Sequence, residues 1–107
     1  MPCTTAQNLT AQQRDRMKDA IARLGSALAS GQASVVIGPA GSIAFKGWTD
    51  SRGVSDLCAY RALAASGSPS LRRAIARAEA TSGRKLNPQA LTAGVHSHDA
   101  GATWGTH

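Results

Sequence analysis

Residues 35–45 read Val35-Val36-Ile37-Gly38-Pro39-Ala40-Gly41-Ser42-Ile43-Ala44-Phe45, two short apolar runs separated by a Gly-Pro-Ala-Gly turn. The runs have a period of two: Val35 and Ile37 point one way with Val36 between them, and Ile43 and Phe45 alternate around Ala44. Pro39 presets φ and Gly41 can supply the positive φ that a tight reversal needs. The stretch therefore predicts a two-stranded antiparallel hairpin. A lone hairpin is marginal in water, so its apolar face must pack on a helix.

Working outward from that ribbon, helical periodicity appears on both sides. Upstream, Met17, Ala20, Ile21, Leu24 and Leu28 recur at three- and four-residue intervals, with Arg14, Asp15, Lys18, Asp19 and Arg23 on the opposite face. This is an amphipathic helix over about 10–30, opened by a Thr10–Gln13 capping box and closed by Gly31 in the left-handed conformation. Downstream, a polar loop from Trp48 to Gly53 leads into Val54, Leu57, Tyr60 and Leu63 or Ala64, a second helical stripe ending near Ala65. Ser68-Pro69 gives the cap-plus-proline start of a third helix, with Leu71, Ile75 and Ala78 as its apolar face and Gly83 as its stop. Asn87-Pro88 repeats that start for a short helical piece ending at Gly94. Residues 1–8 lack periodicity and read as a loose start; residues 95–107 show no period either and read as a flexible tail. The expected class is α+β: helix, two-stranded antiparallel hairpin, two helices, a short extra helix and the tail. One small domain over residues 1–94 holds these elements, and residues 95–107 form the flexible tail.

Composition limits what such a domain can do. The chain has 107 residues, 42% of them hydrophobic but only 4% aromatic, so its core is thin and rich in Ala. A large enzyme with a second substrate domain is excluded by size. No apolar run approaches the roughly 20 residues of a membrane span, and no leader is expected. Cys3 and Cys58 form no C-x-x-C, so neither a redox motif nor a zinc finger is available, and a reduced, cytoplasmic setting is the default expectation. A Cys3–Cys58 disulfide stays open; Cys58 otherwise reads as a small packing residue beside the apolar stripe of its helix.

The net charge of +6 is concentrated. Between residues 61 and 85 there are six bases (Arg61, Arg72, Arg73, Arg77, Arg84 and Lys85) against one acid, Glu79. Arg72, Arg73 and Arg77 are expected on roughly one side of their helix, and Arg84 and Lys85 extend the charge past its end. Guanidinium groups fork onto phosphate or carboxylate, so these six form a candidate surface for nucleic acid or an acidic partner. The alternative is a solvated face that keeps the chain soluble. No aromatic residue interleaves the bases, which argues for phosphate or protein contact over base readout.

Catalytic and metal chemistry finds little footing. Gly38-Pro39-Ala40-Gly41-Ser42 lacks the Gly-Lys-Ser/Thr ending of a phosphate loop and leads into a strand. His96, His98 and Asp99 are the one metal-like cluster, with His107 beyond them, but a Gly/Ala-rich segment offers neither four rigid ligands nor a supporting shell. No metal and no cofactor are expected, and no carboxylate pair reads as an acid/base couple. Val95 and Trp104 are the apolar groups through which the tail could bind a partner. Trp104 either anchors on a neighbouring subunit or folds back on its own domain.

The order helix, hairpin, crossing loop, helix in a small basic chain resembles the phage head–tail joining proteins of the lambda W type. The matching residues are Ala22–Gly31 (ARLGSALASG), the hairpin Val35–Phe45 with Gly41, and Val54-Ser55-Asp56-Leu57 opening the next helix, continued by Tyr60 and Leu63. The resemblance spans roughly residues 10–65. Leu71–Ala80 (LRRAIARAEA) is also similar to the second helix of that family, so two segments compete for its position. The helix after Pro69 and the Gly-rich His/Trp tail depart from the family pattern. The resemblance implies two helices packed on a hairpin and no catalytic activity. It further implies a monomer in solution that assembles in the host cytoplasm, as a ring beneath the portal of the virion, with portal or tail-completion proteins as partners and DNA nearby. Two other readings stand beside it: a small basic nucleic-acid-binding regulator, and an inhibitor or regulator of a host protein.

Overall fold

A computed structural model describes residues 10–48, 56–97 and 99–106. The expected loose start with Cys3, the polar loop 49–53, Val54-Ser55, His98 and His107 lie outside the described residues. The element order is α1 (Ala11–Ser30), β1 (Ser34–Ile37), β2 (Ile43–Lys46), α2 (Asp56–Ala65), α3 (Pro69–Ser82) and α4 (Pro88–Thr92). The α+β class expected from the sequence is the class observed.

The hairpin forms in the register its alternation dictates, with Val35 opposite Phe45 and Ile37 opposite Ile43. All four side chains are buried in one cluster with Leu24 and Leu28 of α1, Leu63 of α2, and Leu71 and Ala74 of α3. Burial of each large aliphatic or aromatic group stabilises the fold by about 1.5–3 kcal/mol. α3 lies against β1 and α1, while α2 lies against β2. Gly31 ends α1 at φ 81°, as its position predicts. The Ser68 hydroxyl caps α3 by accepting from the Leu71 N–H, and the Asn87 side chain caps α4 by accepting from the Gln89 N–H.

The hairpin turn requires Gly41 twice over. Its φ is +91°, and a Cβ there would lie 2.5 Å from the Asn87 Cβ. The same approach lets the Asn87 N–H donate to the Gly41 carbonyl at 2.9 Å, tying the turn to the start of α4.

Two expectations need correction. First, the C-terminal segment does not behave as a flexible tail over its described residues. His96 and Gly105 form an antiparallel bridge, and His96 and Ser97 are each only 1% exposed. Gly101 sits over Val36 and Ala44, on the hairpin face opposite the main core, and the Trp104 ring lies against Gly38. Ala44 is small and Gly38 has no side chain, so this face is flat enough for backbone and an indole to cover it. The hairpin is thus enclosed on both sides, by helices and by its own chain end. Second, the reduced thiol expected at residue 58 is absent, because Cys58 is disulfide-bonded.

Candidate functional site

The six bases of residues 61–85 do not form one surface. Successive α-helical residues are rotated by about 100°, so Arg72 and Arg77 leave α3 on different flanks. Arg72 borders a cleft of about 310 Å³ between α2 and α3, together with Tyr60, Ala64, Leu71 and Ile75. Arg77 borders a second cleft, of about 210 Å³, between α3 and β1. Arg73 stands one turn before Arg77 and is exposed. The expected single side for Arg72, Arg73 and Arg77 is therefore corrected to a pair, Arg73 and Arg77, with Arg72 apart.

Three of the six guanidinium-bearing or ammonium-bearing side chains have structural tasks. Arg61 donates to the Leu91 carbonyl at 2.7 Å, joining α2 to α4. Arg72 donates to Gly67 at 3.2 Å, across the turn before its own helix. Arg84 donates to the Ile37 carbonyl at 3.3 Å, on the outer edge of β1. Each retains further donors for a ligand, because a guanidinium carries five N–H groups. Lys85 is exposed, and its backbone carbonyl lies beside Gly41. Glu79, the one acid in the stretch, accepts from the Leu86 N–H at 3.0 Å and holds the loop after α3.

A polar cluster lies on the far side of the hairpin, centred on Asp56, which no sequence pattern marks as buried. Asp56, 6% exposed, accepts the Phe45 N–H on Oδ2 at 2.6 Å. This satisfies an outward-facing amide of β2 and fixes the start of α2 against the strand. Desolvation pushes the Asp56 carboxyl up to about 6, with the Asp99 charge adding to the rise; the Phe45 N–H and His96 act in the opposite direction. Asp99 is held down at about 2, first by the Thr103 hydroxyl and N–H and then by the Ser97 hydroxyl. The buried Ser42 hydroxyl donates to the Val95 carbonyl, and the Ser97 carbonyl accepts from the Asp56 N–H at 3.5 Å. His96 places Nδ1 at 2.7 Å from the Gly94 carbonyl. An Asp opening a helix reads as an ordinary first-turn residue, so its burial shows only in the folded chain, where β2 and the chain end both meet it.

The expected partner-binding groups of the C-terminal segment have intramolecular roles. Val95 is half-buried and its N–H donates to the Ala90 carbonyl at 3.1 Å. Trp104 is half-buried, with Nε1 donating to the Gly101 carbonyl at 3.0 Å. Of the two roles open to Trp104, folding back on its own domain is the one observed. Among the described residues no three His, Cys, Asp or Glu side chains come together as metal ligands. His96 and Asp99 both serve the local turn, and His98 lies outside the described residues. Neither Asp56 nor His96 borders either of the two clefts. Their arrangement holds structure together and gives a substrate no access to the carboxyl through those clefts.

No helix among the described residues is long and apolar enough to cross a membrane. Comparison of the chain with protein-family models, curated proteins and solved structures finds no match.

Proposed function

We propose that the chain is a non-enzymatic virion protein of the phage head–tail joining type, acting by assembly with portal or tail-completion proteins. The observation that carries this reading is the element order α1–β1–β2–α2 over residues 11–65, with the hairpin between its two helices. That order is the one the resemblance implies, and it spans the residues that carry the resemblance. The net positive charge suits a place beside packaged DNA. Assembly at the portal needs surface and no catalytic pocket, which agrees with acidic and imidazole groups that serve the fold.

Sedimentation tests the proposal. The purified full chain should run as a monomer alone and shift to a larger species when mixed with portal or tail-completion proteins. It should bind short DNA duplexes weakly. Tight duplex binding at micromolar concentration or better would overturn the reading in favour of a nucleic-acid-binding regulator. That alternative requires a steep salt slope and a loss of affinity in an Arg73→Ala, Arg77→Ala variant. Deleting residues 95–107 is a poor probe of assembly, because it strips a cover from the hairpin; surface substitutions serve better.

A further inference from the structure

We propose that the cleft between α2 and α3 binds a small monocarboxylic acid with an apolar body, its carboxylate met by Arg72 and its body by Tyr60, Leu71 and Ile75. The turn that joins the two helices builds this space. The Gly67 N–H donates to the Ala64 carbonyl at 3.1 Å, the Ser68 N–H donates to the Leu63 carbonyl at 3.1 Å, and the Ser68 hydroxyl accepts from the Leu71 N–H. The Ser70 hydroxyl donates to the Gly25 carbonyl at 3.0 Å and ties the start of α3 to α1. These bonds fix the turn, so the cleft is set by the fold before any ligand arrives. Small groups keep it open: Ala64 is exposed, and a Cβ added at Gly67 would meet nothing within 4 Å.

The lining is apolar below and cationic at the rim. Leu71, 2% exposed, is its most buried member, while Tyr60 and Ile75 are half-buried and pack against the core cluster. Arg72 is exposed, and its bond to the Gly67 carbonyl at 3.2 Å folds the side chain back over the turn. That bond uses one of five guanidinium N–H groups and leaves the others for a ligand. No Asp or Glu borders the cleft, and among the described residues no carboxylate pairs with Arg72. A volume of about 310 Å³ lies at the lower end of small-ligand clefts, which suits one ring or a short chain.

Charge and size together choose the ligand. A single guanidinium beside apolar walls matches one carboxylate on an apolar body, because its fork of N–H groups meets both carboxylate oxygens. Inorganic phosphate or a nucleic-acid backbone would engage Arg72 but leave Leu71 and Ile75 uncovered. A neutral apolar molecule would cover those two and leave the guanidinium unused. The site is independent of the head–tail joining reading, since it rests on this cleft and not on the element order, and its test needs no portal or tail protein.

The test titrates the isotope-labelled full chain with phenylacetate, using phenylacetamide as the neutral control and acetate as the control for charge alone. Binding should saturate at roughly millimolar concentration and shift the resonances of Ala64, Gly67, Leu71 and Ile75. Arg72→Gln keeps a donor for the Gly67 carbonyl but loses the charge. It should weaken phenylacetate about tenfold or more while binding of the amide stays as it is. Ala64→Leu, at an exposed helix position, should fill the space and abolish binding of both. Equal affinity for acid and amide, or acetate moving the same resonances as strongly, would overturn the proposal. So would shifts as large at Arg73 and Arg77 as at the cleft, which would mean general attraction to a basic chain. Movement of the cleft resonances on concentrating the protein alone would assign the space to a second copy and overturn it too.

Discussion

Gly38→Ala tests whether the chain end closes the second face of the hairpin. Gly38 does not have positive φ, so the backbone can accept alanine there. With nothing in the way, such a change stabilises by about 0.4–1 kcal/mol through the unfolded chain. The added Cβ, however, would stand 2.7, 2.8 and 2.9 Å from three atoms of the Trp104 ring, so the indole must leave. Truncating a buried Trp costs about 3–5 kcal/mol; a half-buried one displaced to solvent loses roughly half of that. The net expectation is a loss of about 1–2 kcal/mol, corresponding to a fall in Tm of roughly 5–15 °C for a domain of this size. Urea unfolding in a Trp48→Phe background, which leaves Trp104 as the reporter, measures both quantities. The native-state emission should shift to the red as the loss of stability appears. In a Trp104→Ala background the same glycine change should become neutral or stabilising, because the clash is gone. A Gly38→Ala protein as stable as its parent, with unmoved Trp104 emission, would refute the docking of the chain end on this strand.

The raised carboxyl of Asp56 gives a stability slope of defined sign. Its folded value of about 6 lies above the ordinary 3.8, so the folded state binds the extra proton and stability falls as pH rises between those values. Such a rise corresponds to roughly 3 kcal/mol across the window. Asp56→Asn keeps an oxygen to accept the Phe45 N–H and should flatten that slope in urea unfolding between about pH 4 and pH 7. An unchanged slope would place Asp56 in solvent. Asp99, held near 2, contributes in the other direction, and its stabilisation is lost only as pH falls below the ordinary 3.8 toward 2. Gly41→Ala combines a φ of +91° with a 2.5 Å approach to Asn87. It should destabilise by about 2 kcal/mol or more, read as a lowered Tm, and a neutral result would remove the tie between the turn and α4.

Most of the skeleton was legible because each signal is local. Leu24 and Leu28 lie on one stripe of α1 by helical period, and Val35, Ile37, Ile43 and Phe45 lie on one face of the hairpin by strand period. Ser68 and Asn87 announce the starts of α3 and α4 through hydroxyl and amide chemistry that acts over two or three residues. The candidate surface was less legible. A count of bases along residues 61–85 cannot say that Arg84 reaches a strand edge or that Arg72 and Arg77 border different clefts. Helix rotation gives the divergence, but the neighbours on each flank come from elsewhere in the chain.

By itself, then, the sequence determined the helices, the hairpin, its register and the side that faces the core, since periodicity and capping are properties of neighbouring residues. The closing of the hairpin's other face was decided only in three dimensions. Val95 to Thr106 carries no period, and its course depends on a Gly38 without a side chain, a small Ala44 and a buried Ser42 that lie more than fifty residues upstream. The same return sets Ser97, His96 and Asp99 beside the buried Asp56, whose proton affinity rises by desolvation, a consequence of the fold that no spacing of residues along the chain expresses.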